Sequence, residues 1–288
     1  MKISKENILG LFTLGLFILM ALFVPGFLTS NNLNNMFFQL PELGFIALGM
    51  MAVILSGGID LSITYTAVMS GVGAALLLTN GYPVFVAVIA ALIIGIICGS
   101  FNGFIVARIG VPAMLVTIGT MVLYEGIILA ITEGRPISGF GETYSLIGNG
   151  YLFGLVPLSI VIFAIVVAIT SLLLNKSAWG RSLYMYGNNP IATLFSGVKT
   201  GSVVMRAYIF SGLMAAIAGI IMTSRYNSVT VDLGSSYMFQ AVAAAVLGGT
   251  KIEGGYGKVM GTVYAVIIFQ ILSNGFNLLG IHRSMVDI

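Results

Sequence analysis

Three carboxylates stand inside or at the edges of apolar stretches: Glu42 after Pro41, Asp60 in "SGGIDLS", and Glu125 in "TMVLYEGII". Ionisable groups at such depth are costly and mark functional positions by default. Aspartyl proteolysis within a membrane needs two facing carboxylates, but Asp232 falls in a loop and Asp287 at the end of the chain. A serine version needs a Ser–His pair, and the lone His282 lies at the edge of the last apolar stretch. One Cys (Cys98) and one His leave neither a disulfide nor a zinc site, so no metal is expected. The segment "GGYGKV" (Gly254–Val259) lacks the first Gly of a phosphate-binding loop and the Ser/Thr after Lys258. Bond-making chemistry therefore has no site. What remains is hydrogen bonding by Gln39, Asn102, Gln240, Asn274 and Asn277, which suits an uncharged solute or plain interhelical contacts.

The composition says what surrounds these groups. Of 288 residues, 58% are hydrophobic and 7% charged, against roughly 25% charged in a soluble domain. The chain is an integral membrane protein. Its net charge of +3 is small and scattered, and nucleic acid is not an expected partner.

Nine apolar stretches can serve as crossings, each near the roughly 20 residues a bilayer requires: Ile8–Phe27, Pro41–Leu55, Leu61–Leu78, Pro83–Ala107, Pro112–Thr132, Leu155–Leu174, Val203–Thr223, Tyr237–Leu247 and Val259–Leu279. The second and eighth are short and run into glycine-rich turns. With the N-terminus inside, Lys2, Lys5, Arg108, Lys176, Arg181, Lys199, Arg206, Lys251 and Lys258 fall on the cytoplasmic side, and Arg135, Arg225 and Arg283 outside. That asymmetry obeys the positive-inside rule. The expected fold is an all-α polytopic bundle, residues 1–288 forming one transmembrane domain.

Several residues have two readings. Asp60 either caps the third span, with Gly57 and Gly58 supplying the turn, or lines a gate. Glu42 is expected at the start of the second span, where the helix dipole favours a carboxylate. Gly95, Gly99 and Gly103, and likewise Ser211, Ala215 and Gly219, form small-residue ridges for close helix packing. Thr132–Tyr151 reads as a long polar outer loop, either solvated or meeting a partner through Glu133, Arg135 and Glu142.

The longest cytoplasmic insert, residues 175–203, contains "GNNPIATLFSG". Asn189 suits an N-cap, Pro190 the first helical position and Gly197 the stop. The two-turn helix between them carries Ile191, Leu194 and Phe195 and is too short to stand alone in water. Either the bundle or a soluble partner holds it.

"LSGGIDLSI" (55–63), "GRSLYMYGNNPIATLFSGVKT" (180–200), "AVAAAVLGGTKIEGGYGKVMGT" (241–262) and "LSNGFNLLGI" (272–281) together resemble the permease subunit of bacterial ABC importers of the ribose/simple-sugar type, a group that also serves autoinducer-2. The resemblance implies an inner-membrane translocation subunit with no ATPase or cofactor of its own. It implies a second permease subunit, two cytoplasmic ATP-binding subunits that use ATP and Mg, and an external solute-binding protein. It assigns coupling to the ATPase to Gly187, Asn188, Asn189, Pro190, Ala192, Phe195 and Gly197. Gly57, Gly58, Asp60, Asn102, Asn274 and Asn277 are the candidates for pathway or gate. The solute is expected to be a simple sugar or neutral polyol; autoinducer-2, a nucleoside, or a secondary carrier are the alternatives. Family members continue with another helix past "NGFNLLG", so a tenth helix is expected to be lacking here.

Overall fold

A computed structural model describes residues 5–281. The expectations resting on Lys2, His282, Arg283 and Asp287, and on a tenth helix, lie outside them. Among the described residues, nine apolar helices form the bundle: α1 (Lys5–Phe23), α2 (Ser30–Leu55), α3 (Ile63–Thr79), α4 (Val84–Phe104), α5 (Ala113–Thr132), α7 (Leu158–Lys176), α10 (Thr200–Tyr226), α11 (Tyr237–Leu247) and α12 (Val259–Leu278). Seven are long and apolar enough to cross a membrane; α3 and α11 are shorter. Three further helices, α6 (Glu142–Asn149), α8 (Ala178–Asn188) and α9 (Pro190–Phe195), lie in the connections.

The largest departure from the sequence reading is α2. It begins at Ser30 rather than Pro41 and carries Pro41 inside it. A proline in a helix removes one backbone bond and pushes on the preceding turn, yet membrane helices tolerate it where neighbours cover the freed groups. Every α2 residue from Pro41 to Leu55 is buried. Glu42 is thus mid-helix, not at a helix start, and the dipole argument for it fails.

The segment expected as a long outer loop, Thr132–Tyr151, is also more structured than expected. Within it, α6 packs on α10, with the Tyr144 hydroxyl 2.7 Å from Thr223 Oγ1. Two short antiparallel pairs complete the connections, β1 (Ile137–Ser138) with β4 (Ser228–Val229), and β2 (Tyr151–Leu152) with β3 (Val156–Pro157).

Helix α10 is the hub, packed against α2, α3 and α4. The expected glycine ridge of α4 does its work here: a Cβ on Gly95 or Gly99 would overlap the carbonyl oxygens of Gly212 and Tyr208. The α10 ridge is divided instead. Gly219 backs onto Ala67 of α3, whereas Ser211 serves Asp60. Gly99→Val should lower the detergent melting temperature, because overpacking against rigid backbone costs about 1–3 kcal/mol; an unchanged Tm would mean that α4 can slide.

Candidate translocation path and coupling surface

At one end of the bundle, α8 and α9 follow one another, joined at Asn189 and in mutual contact. Asn189 Oδ1 accepts the Ala192 N–H at 2.9 Å, Pro190 occupies the first turn, and Gly197 adopts φ +80° after the last one. Sequence and structure agree on this short helix. Its Thr193 is buried, but Ile191, Leu194 and Phe195 are 69%, 57% and 86% exposed. The apolar side points away from the bundle. A marginal helix spending three large apolar side chains this way has a face made for contact.

Helix α8, unforeseen from the sequence, fastens α9 to the membrane helices. The Ser177 hydroxyl caps it by accepting the Gly180 N–H, and Trp179, Tyr184 and Tyr186 pack against the core. Tyr184 donates to Gly257 O at 2.9 Å and Asn188 Nδ2 to Gly255 O at 2.9 Å. Burial pushes the Tyr184 phenol above its ordinary pKa. At Gly187 three backbones meet: a Cβ there would overlap Leu55 O and Gly255 N. Gly255 N–H also donates to Leu55 O at 3.0 Å. The end of α2, its turn at Gly57, and the loop joining α11 to α12 therefore share one contact with α8.

Beyond that turn lies Asp60, 2% exposed. Its Oδ1 accepts from the Ser62 N–H at 3.2 Å and the Ser62 hydroxyl at 2.7 Å, and its Oδ2 from the Ser211 hydroxyl at 2.8 Å. Asn102 Nδ2 donates to Ser62 Oγ at 2.8 Å. The N-cap of α3 is Ser62, not Asp60 as expected; the Asp60 carboxylate closes the turn before it and ties that turn to α10, with α4 joined through Asn102. Gly58 lies against Tyr208 and Ala113. This cluster is enclosed, and none of its members lines a cavity described below.

Toward the opposite end, a cavity of about 170 Å³ opens between α2, α10, α11 and α12. Gln39, Gln240, Gln270, Ser273 and Asn277 present amides and a hydroxyl to it, with Tyr226, Tyr237 and Phe269 as aromatic wall. Gln270 Nε2 donates to Gln39 Oε1 at 3.0 Å, bridging α12 and α2. Among the six residues anticipated for the pathway, Asn277 is the one that lines this cavity. Asn274 is instead locked to Asn32 by reciprocal amide hydrogen bonds of 2.9 and 2.8 Å. Tyr226, Tyr237, Gln270 and Ser273 were not anticipated. An uncharged amide inside the ninth apolar stretch was a legible signal for Gln270; the tyrosines carried none.

Glu42 sits behind the aromatic wall, fully buried. Arg225 Nη1 lies 2.6 Å from its Oε1, and Tyr237 donates to its Oε2 at 2.8 Å. Glu125 is half-buried on α5, where Tyr65 faces it. Glu133 and Arg135 are exposed and 4.0 Å apart.

Residues 32–288 match the family described as the branched-chain amino acid transport system / permease component, and the chain belongs to that family. It is 39% identical over 273 residues to the ribose import permease RbsC of Bacillus subtilis strain 168, covering 93% of this chain and 84% of that one. The RbsC of Escherichia coli K12 is 37% identical, covering 89% and 81%. The autoinducer 2 import system permease LsrD of Klebsiella pneumoniae is 33% identical, covering 83% and 74%. No solved structure matches. The chain is a multi-pass membrane permease component.

Proposed function

We propose that this chain is the membrane-spanning subunit of an ATP-driven ABC importer for a simple sugar or related neutral polyol, acting in the bacterial inner membrane. The N-terminus and the α8–α9 end face the cytoplasm. Residues 1–288 act as one permease domain with a coupling segment at 175–203. A second permease copy or homologue completes the path, an external binding protein delivers solute, and two ATP-binding subunits hold ATP and Mg²⁺. The similarity to ribose import permeases supports the solute class, as does a cavity walled by neutral amides, hydroxyls and aromatic rings.

The observation that carries this reading is the capped α9 with its exposed Ile191, Leu194 and Phe195. Closure of the ATPases would push on α9. Asn188, Asn189 and Pro190 pass that push to α8 with little give, and Ala192 and Gly197 keep the short helix intact at its two ends. Gly187 then hands the displacement to Leu55 of α2 and to the 248–258 loop. Since α2, α11 and α12 wall the cavity, one push at the surface reaches three of its sides. Switching access needs such a two-state element biased at a distant site.

Co-purification in mild detergent tests the assembly: an ATP-binding chain should remain bound, and a partnerless bundle would remove the reading. Within the complex, Phe195→Asp is expected to abolish sugar uptake while the bundle elutes as a normal monodisperse species. Intact uptake in that variant would strip α9 of its coupling role.

A further inference from the structure

The cavity among α2, α10, α11 and α12 has a neighbour. A second pocket, about 400 Å³, is lined by Thr230, Asp232, Ser235 and Ser236. Tyr226 and Tyr237 line both spaces. These two residues end α10 and begin α11, so the segment between them supplies most of the second pocket's wall.

Both phenols converge on one carboxylate. Tyr237 Oη lies 2.8 Å and Tyr226 Oη 3.5 Å from Glu42 Oε2, while Oε1 holds Arg225. The Arg225 guanidinium in turn lies 4.7 Å over the Tyr226 ring, a cation–π contact that orients it. The far side of the assembly is pinned as well: Asn227, at φ +49°, accepts the Phe140 N–H at 2.9 Å through its side chain and the Gly139 N–H at 3.3 Å through its carbonyl. Glu42 has no exposed surface, and its hydrogen bonds run to Arg225 and to the two tyrosines.

We propose that Tyr226 and Tyr237 form an outer gate between an entry pocket and the intramembrane cavity, with Glu42 as the positioning residue that holds the gate shut. A neutral ring-shaped polyol would pass by sliding its apolar face along the tyrosine rings, its hydroxyls replacing the phenol bonds to Glu42. The entry side rests on the orientation given under the proposed function, and the test separates the two.

Ser235→Cys reports the entry pocket and Ser273→Cys the inner cavity. Each is labelled in intact cells with a membrane-impermeant trimethylammonium methanethiosulfonate, the parent with its buried Cys98 serving as blank. Ser235→Cys should react fast, and Ser273→Cys at least about tenfold more slowly; adding Tyr237→Phe should then speed Ser273→Cys about tenfold, the population shift expected from losing one hydrogen bond to a charged group. Glu42→Gln should also speed it, because a neutral amide oxygen still accepts from the phenols but holds them less tightly than a carboxylate, whereas Ser235→Cys should not change with either, which doubles as the folding control. Equal rates at both positions in the parent, or no response to Tyr237→Phe and Glu42→Gln, would overturn the gate. If Ser235→Cys reacts only in inverted vesicles, the orientation is wrong, and the same comparison made there decides the gate independently.

Discussion

Arg225→Ala is expected to be the most damaging single substitution in the bundle. Glu42 is fully buried and the Arg225 side chain is only 15% exposed, with 2.6 Å between nitrogen and oxygen. Removing one partner of such a pair leaves an uncompensated charge and costs about 3–5 kcal/mol. Thermal denaturation in detergent, followed by size-exclusion chromatography, should show the folded fraction lost at a markedly lower temperature. The double variant Arg225→Met with Glu42→Gln should recover most of the loss, because it removes both charges and keeps an acceptor for Tyr237. A melting temperature for Arg225→Ala equal to that of the parent would mean that the pair stabilises nothing, and that water reaches Glu42.

Gly187→Ala should separate coupling from folding. The added methyl meets Leu55 O and Gly255 N, both backbone atoms that cannot swing aside. Helix α8 must lift, and the overlap costs about 1–3 kcal/mol. The lift opens the contact through which α9 acts on α2 and on the α11–α12 loop. Uptake per complex should fall at least about tenfold, the factor for roughly 1.4 kcal/mol lost in coupling, while ATP hydrolysis by the assembled complex persists. Gly110→Ala is the comparison. Its φ of +85° makes alanine unfavourable by about 1–2 kcal/mol, but nothing lies within 4 Å of the added methyl. Equal uptake losses in the two variants would show that Gly187 is only one more tight glycine.

The short helix α9 was legible because its signals are local. Asn189, Pro190 and Gly197 specify a helix start and stop within nine residues, and the structure places each in that role. Helix α8 beside it was not legible. Its apolar Trp179, Leu183, Tyr184 and Tyr186 find their partners on α2, α10 and the loop after α11, far away in sequence. Asp60 shows the same division. Its turn bond to Ser62 spans two residues and is set by local sequence, whereas its bond to Ser211 spans 151 positions and is not.

The start of α2 went astray for a related reason. A proline is locally a helix stop, and only the coverage of the Pro41 turn by neighbouring helices makes it tolerable. Once α2 runs through to Ser30, Glu42 moves from a helix end into the interior, opposite Arg225, 183 positions along the chain.

Composition, apolar run length and local capping residues were enough to establish an all-α polytopic membrane bundle and its capped short helix, because each depends on neighbours in sequence and on the bilayer's fixed thickness. The polar cavity, the paired Glu42 and Arg225, and the junction at Gly187 were decided by the tertiary structure alone. They exist only where side chains from separate helices meet in a medium that leaves buried polar groups no partner but one another.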